Sequence, residues 1–312
     1  KATPQRGRQQ RALRVGPWQH EFMTRIGIVG AGIAATMHAE AVLNTRAATL
    51  VGVGGRAATG EALGTAANVP HLDLESLIAA SDALVIASPP ETVADIVAMI
   101  GSRVRALLIE SPLPLSLVTP VIPTMVAANL LHAPTVRLGL AAIAKMNAHH
   151  LQLRSTQPRP TWGSHGTDVG NEPLLDPGAR LLPVLLAAAG SSVAGSERRK
   201  SGPAEDYALR LELADGRTIE MQSSWAHGEV NAELEAADTS AVVQISFFPF
   251  PRLEIDGRPI EPEETAPVRS LGFVNQIERL ARVAKGDAEP WLPLASGQGI
   301  RALLAETSGN TG

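Results

Sequence analysis

The sequence predicts an α/β protein. A doubly wound parallel sheet comes first, followed by a C-terminal α/β domain with a large, mostly antiparallel open sheet. Three observations predict this. Up to about residue 147, short runs that are apolar throughout alternate with helical stretches, the pattern of a parallel sheet covered on both faces. Beyond it, runs alternate apolar with polar residues and meet at Asp-Gly turns, as antiparallel strands with one free face do. A length of 312 residues is enough for two cores.

Each element follows from its residues. "RIGIV" (25–29) is the first strand, broken by Gly30 and Gly32. Residues 33–43 lack Gly and Pro and are Ala-rich, which favours helix. "TLVGV" (49–53) is the second strand, and "AATGEALGTAA" (57–67) a helix weakened by glycine. "DLESLIAA" (73–80) is a short helix with Asp73 as its N-cap. "ALVIAS" (83–88), "ETVADIVAMI" (91–100) and "ALLIE" (106–110) give strand, amphipathic helix and strand. In the second half, "HLQLRS" (150–155) reads as a half-exposed strand and 177–189 as a helix. "YALRLEL" and "TIEMQSSW" form a hairpin around Asp215-Gly216; "EVNAELEA" and "SAVVQISFF" continue the meander, and "RLEIDGRPI" repeats the Asp-Gly turn. Leu271, Val274, Ile277, Leu280 and Ala281 make one helical stripe. Pro183 removes an amide donor inside the 177–189 helix and is expected to shorten or bend it.

Composition excludes several classes. A formal net charge of −4 offers no basic field for nucleic acid. Without cysteine, disulfides, zinc–thiolate sites and thiol catalysis are excluded, and a reducing cytoplasm fits. No His/Asp/Glu spacing suggests a metal, and no Gly-x-Ser-x-Gly elbow suggests a hydrolase. Residues 111–136 carry no formal charge and are long enough to span a bilayer, but Pro112, Pro114, Pro120 and Pro123 interrupt them. A buried or interface segment is expected there, not a membrane span. Residues 1–22 set five cations against Glu21 alone and have no apolar signal region. This basic arm is expected to be disordered or to precede a natural start at Met23.

"GIVGAGIAATMH" places Gly30-x-Gly32-x-x-Ala35 between a strand and a helix. The first glycine permits the tight turn, and the second lets backbone approach a pyrophosphate. A small third residue lets helix pack on strand, and the helix N-terminus faces the phosphates. Gly30, Gly32, Ile33 and Ala35 are therefore the cofactor cradle. The next strand selects the nucleotide. An acid at its end would hold ribose hydroxyls, but the position reads Gly54-Gly55-Arg56. A missing acid followed by Arg56 suits a 2′-phosphate, so NADP is expected, with NAD the second choice.

The cradle continues to His38 as GxGxxAxxH. With "VIASPP" (85–90), "IESPLPLS" (109–116) and "PLLDPGARLLPVLLAAAG" (173–190), the chain resembles the Gfo/Idh/MocA oxidoreductase family from about residue 25 to 305. The resemblance implies a Rossmann domain over 23–131 and a substrate and oligomerisation domain over 132–312, with homo-oligomers formed through the open sheet. It implies NAD(P)-linked hydride transfer at a carbon-bound hydroxyl of a sugar, cyclitol or related small molecule. Ser88, Pro89, Glu110 and Ser111 would join the cofactor site.

Two signature positions depart from the family pattern. Its Glu-Lys-Pro strand end reads Glu110-Ser111-Pro112, so the lysine is lost; Pro112 matches the family proline, whose preceding peptide can be cis. Its Asp-x-Gly-x-His helix start reads Asp176 to Arg180, so the histidine is lost too. Oxidising an alcohol needs a base near neutrality, which a guanidinium cannot be. Asp176 is one candidate base, although Asp176 with Pro177 also makes a plain helix start. His165, in the glycine-rich stretch beside Trp162, is the candidate replacement. Arg180 and Trp162 would contact substrate, Arg180 through a carboxylate or phosphate. The competing possibility is a catalytically impaired nucleotide-binding sensor or partner subunit on the same fold.

Overall fold

The computed structural model describes residues 23–114, 117–158, 174–175, 177–201, 206–225, 230–262 and 264–305. The first half runs β1 (Thr24–Val29), α1 (Ile33–Leu43), β2 (Ala48–Gly54), α2 (Ala57–Ala67), α3 (Leu74–Ala80), β3 (Ala83–Ile86), α4 (Pro90–Ile100), β4 (Ala106–Ile109) and β5 (Thr124–Val126). Its five strands are ordered β2-β1-β3-β4-β5 and all neighbours are parallel. The chain passes from β1 to β2 on one side and then crosses to β3 on the other side of β1, so strand order reverses there. A crevice opens at such a reversal, outside the carboxyl ends of the strands.

Next come α5 (Asn129–His132), α6 (Pro134–Ile143), β6 (His150–Gln157), α7 (Pro177–Ala189), β7 (Val193–Lys200), β8 (Asp206–Leu213), β9 (Thr218–Trp225), β10 (Asn231–Ala237), β11 (Val242–Ser246), β12 (Arg252–Ile255) and β13 (Arg258–Ile260). The chain closes with α8 (Pro267–Ser270), α9 (Phe273–Lys285) and α10 (Leu294–Ala305). Eight strands form the second sheet, in the order β13-β12-β11-β10-β6-β9-β8-β7. All its pairs are antiparallel except β6 with β9. The alternating pattern puts Leu153, Leu209, Met221, Leu234 and Ile245 in a core under α6 and α7, while Arg154, Arg210 and Glu212 remain exposed.

The first sheet is covered on both faces, as its uniformly apolar strands require. Ile26, Ile28, Val85 and Leu108 pack with α1 and α9 on one side. Leu84, Ile86, Leu107 and Ile109 pack with α3 and α4 on the other. The position of α9 is instructive. Its stripe Val274, Ile277, Leu280 and Ala281 is fully buried in the first core, although it lies deep in the C-terminal half of the sequence. Thr24 Oγ1 donates to the Ala281 carbonyl at 3.3 Å, and Thr45 Oγ1 to Glu278 at 2.9 Å. Helix α9 therefore crosses back in space to the first sheet, although it follows the second sheet in the chain.

Three features differ from expectation. The uncharged segment contributes a short buried strand, β5, whereas the described residues of 111–123 form neither helix nor strand. "VAGSERRK" forms β7 at a sheet edge despite its charges. Helix α7 runs through Pro183 for its full 13 residues. Leu181, Leu182, Val184 and Leu185 are all buried around that proline, and packing of this extent outweighs one missing amide donor. No helix among the described residues is long and apolar enough to cross a membrane.

If α9 is integral to the first core, Ile277→Ala should lower the unfolding free energy by about 2–5 kcal/mol. Urea denaturation measures this. A loss below about 1 kcal/mol would show that α9 merely rests on the sheet.

Candidate active site

The carboxyl ends of β1, β3 and β4 meet at one crevice. At the first, Gly30 donates its amide to the Gly54 carbonyl at 2.8 Å and has φ +127°. A Cβ on Gly30 would lie 2.2 Å from the Ala87 carbonyl oxygen, so only glycine fits between β1 and β3. Gly32 is the opposite case: a Cβ there would meet nothing within 4 Å. The space above Gly32 is open, and Ile33, first in α1, is 73% exposed. No side chain caps α1, and its first turn holds no acid. Its leading amides thus have no side-chain acceptor among the described residues, as an anion site requires. Ala35 is fully buried and lets α1 lie close to the sheet. These features fit a dinucleotide pyrophosphate.

The turn after β2 lies against this cradle. A Cβ on Gly55, whose φ is +149°, would sit 3.6 Å from Gly30 C and 3.8 Å from Ala31 Cβ. Residues 55–59 are all exposed. Arg56 occupies the N-cap position of α2, and no side chain caps that helix either. After β3, Ser88 Oγ donates to the Val29 carbonyl at 3.2 Å, and exposed Pro89 leads into α4. Both therefore border the crevice beside the glycines.

At the end of β4, Glu110 does not face solvent as a free acid. Its Oε1 lies 2.6 Å from Nε2 of His38, whose side chain is wholly buried on α1. Its Oε2 accepts the Ser111 amide at 3.2 Å. Burial pushes the Glu110 carboxyl up, but the His38 hydrogen bond and charge, the Arg180 cation and the Ser111 amide together hold it below the usual range. The histidine that ends the GxGxxAxxH run is thus the partner of the acid that ends β4. The Ser111–Pro112 peptide is cis. Ser111 Oγ donates to the Ala127 carbonyl at 3.3 Å, tying the turn to the end of β5.

Arg180 is exposed in the first turn of α7, within electrostatic reach of Glu110. The site therefore keeps a cation although position 111 has none. Asp176, His165 and Trp162 lie outside the described residues. Two residues near the site were missed from the sequence. Arg301 on α10 is buried, donates Nε to the Leu113 carbonyl at 3.2 Å and lines a narrow cavity shared with Ser111 and Pro183. Nothing in its helix, LASGQGIRALLA, marks it as special. His71 donates from its ring toward the Gly55 carbonyl at 3.2 Å, a long-range contact with no local signal. His132 is a packed residue: burial, then Arg279 and Arg137, push it down to about 3, and its ring meets Trp291 edge-on.

A separate cleft of about 280 Å³ opens at the amino ends of the strands, between Arg25, Asp82, Glu75, Arg103 and Arg105. Arg25 pairs with Asp82 at 3.0 Å and Arg103 with Glu75 at 2.5 Å. It lies at the opposite pole from the glycines, and ligands of open parallel sheets bind at the carboxyl ends.

The Glu110 brace has a pH signature. Its folded pKa is depressed, so its stabilisation is complete above the unfolded value of about 4.3 and is lost as pH falls through the folded value. Glu110→Gln should therefore cost about 1–3 kcal/mol at pH 7, with the gap to wild type narrowing below about pH 4. Urea unfolding at both pH values checks this; a gap independent of pH would contradict an ionised brace.

Comparison with known proteins places this geometry. Among proteins of curated function, no sequence matches the chain. Solved structures share its fold at low identity. UDP-N-acetylglucosamine 3-dehydrogenase GnnA from Acidithiobacillus ferrooxidans superposes with a TM-score of 0.74 at 13% identity, over 90% of this chain and 95% of that one. GenD2 from gentamicin A biosynthesis, solved in complex with NAD, gives 0.73 at 17%, over 90% and 92%. A Desulfitobacterium hafniense protein assigned as an NADPH-dependent oxidoreductase gives 0.76 at 14%, over 91% and 94%. Residues 24–120 match the model of an oxidoreductase family with an NAD-binding Rossmann fold. That model is the one for the Gfo/Idh/MocA family, and the match spans the strands and helices of the first sheet up to the turn after β4.

Proposed function

We propose that the protein is an NADP-dependent oxidoreductase that moves a hydride at a carbon-bound hydroxyl of a sugar, cyclitol or related small molecule. One observation carries the cofactor half of this reading. An open, uncapped glycine cradle adjoins an exposed turn that has Arg56 where an acid would hold unphosphorylated ribose. Gly32, Ile33 and Ala35 would hold the pyrophosphate through backbone amides, Arg56 the 2′-phosphate, and Ser88, Pro89, Glu110 and Ser111 the nicotinamide end. When bound, the cofactor accepts or donates a hydride at nicotinamide C4.

The chain's own residues divide the remaining tasks. Glu110 is committed to His38 and the Ser111 amide, so it braces the turn and is not the proton acceptor. Arg180 brings a guanidinium to the first turn of α7 and would orient a carboxylate or phosphate on the substrate. The hydroxyl proton then needs another acceptor, and Asp176 and His165 are the candidates. The sugar-nucleotide dehydrogenase among the neighbours and the one assigned to NADPH support the substrate class and the cofactor. We place the protein in the cytoplasm as a homo-oligomer paired through the polar face of the second sheet.

A second function has its own support. Loss of a titrating group at Ser111 and at Arg180 also suits a sensor or partner subunit that binds the cofactor without turnover. Turnover over a panel of sugars and cyclitols, abolished by Asp176→Asn, would eliminate it. Activity gained only in a Ser111→Lys, Arg180→His double variant would establish it.

The cradle gives a sharper test, because its two glycines differ in what surrounds them. Gly32→Val should leave the melting temperature within about 2 °C of wild type, since nothing is displaced, yet abolish NADPH binding measured by nicotinamide fluorescence. Gly30→Ala should instead destabilise the fold by about 2 kcal/mol or more, because backbone must move. Unchanged NADPH binding in Gly32→Val would refute the cradle. Arg56→Ala should weaken NADPH by about 10–100-fold, a charge-assisted contact, and leave NADH within about twofold. Equal effects on both coenzymes would refute the role given to Arg56.

A further inference from the structure

We infer that His71 is the positioning residue that sets the coenzyme preference of the turn after β2; this rests on the reading of that turn as the adenosine-ribose site. Four contacts carry the inference. After α2 the chain returns alongside the end of β2, where Val53 donates to the Pro70 carbonyl at 3.1 Å and Leu72 to the Val53 carbonyl at 2.9 Å. His71, between them, bridges Val53 in parallel register. Its Nε2 then lies 3.2 Å from the Gly55 carbonyl oxygen. Its ring also lies flush against α2, so that a Cβ on Gly60 would come within 2.5 Å of it.

The ring is therefore wedged between two fixed points that flank Arg56. On one side is the Gly55 carbonyl. On the other is Gly60, whose amide donates to the Arg56 carbonyl at 2.8 Å as the first hydrogen bond of α2. Gly55 itself has φ +149°, and the residue before it, Gly54, accepts the Gly30 amide of the phosphate cradle at 2.8 Å. A glycine turn with an exposed arginine has many conformations open to it. His71 removes most of them from one side and the cradle from the other. What remains is one arrangement of the Gly55–Arg56 peptide relative to the uncapped start of α2. The ribose 2′ substituent would be read by that arrangement, so the residue that holds it governs the ratio of NADPH to NADH affinity without touching either coenzyme.

A ratio tests this, because a general loss of stability would weaken both coenzymes alike. Dissociation constants for NADPH and NADH are measured by nicotinamide fluorescence in wild type, His71→Ala, His71→Leu and His71→Gln, with far-ultraviolet circular dichroism as the control for folding. Removing the donor, in His71→Ala or in the bulkier His71→Leu, should change the affinity ratio by about tenfold. His71→Gln, which keeps an amide donor, should restore most of it. An unchanged ratio in a folded donor-less variant overturns the inference, as does a Gln variant that behaves like Leu. Wild type binding NADH more tightly than NADPH would instead overturn the NADP reading alone, since the ratio remains the quantity that His71 controls.

Discussion

A single partly buried contact, His38 Nε2 to Glu110 Oε1 at 2.6 Å, joins the two halves of the crevice. His38 stands on α1, the helix whose N-terminus forms the cradle, and Glu110 ends β4, where the cis turn begins. These elements are separated by 72 residues and by an intervening strand, β3. Moving α1 would therefore move Ser111 and Pro112 with it. A half-buried carboxylate facing a fully buried imidazole gains from being paired, and the pairing leaves it little freedom. The acid and the hydroxyl that end the strand each hold the turn in place: Glu110 bonds to His38 on α1, and Ser111 Oγ donates to the carbonyl of Ala127.

This arrangement changes the chemical meaning of the two departures from the family pattern. At position 111 an ammonium has become a hydroxyl that is spent on the backbone. At position 180 an imidazole has become a guanidinium. Positive charge has not been lost from the site so much as moved, from β4 to the first turn of α7. What has been lost is titration near neutrality. On the function proposed above, a guanidinium beside the cofactor frame would hold an anionic substrate, and proton transfer would fall to a different segment of the chain.

Much of the first domain was legible from local pattern. Apolar runs fix strands buried on both faces, the spacing of Gly30, Gly32 and Ala35 fixes the βα turn, and Asp73 caps α3 through the Ser76 amide at 2.8 Å. Helix α7 was equally plain, from Pro177 to Ala189. What escaped has a common cause: it is set by contacts distant in sequence. The stripe on α9 shows that the helix covers a sheet but cannot show which, and it covers the one that begins 249 residues earlier at Thr24 (counted to Phe273). β5 is three residues long inside a proline-rich stretch, and β7 is a charged edge strand that pairs on one side only. Within the site, the glycines and Glu110 could be named from their motifs. The partner of Glu110 became visible only once α1 was laid across β4, and the ring of His71 only once the chain doubled back along β2.

The central claim is that the amides at the start of α1 and the neighbouring β2 turn grip a nicotinamide dinucleotide. Hydrogen–deuterium exchange with and without saturating NADPH tests it most directly. The account predicts slowed exchange in peptides covering residues 31–36 and 54–60, with peptides from the second sheet largely unaffected. Unchanged exchange in both stretches, with the fold intact, would contradict it.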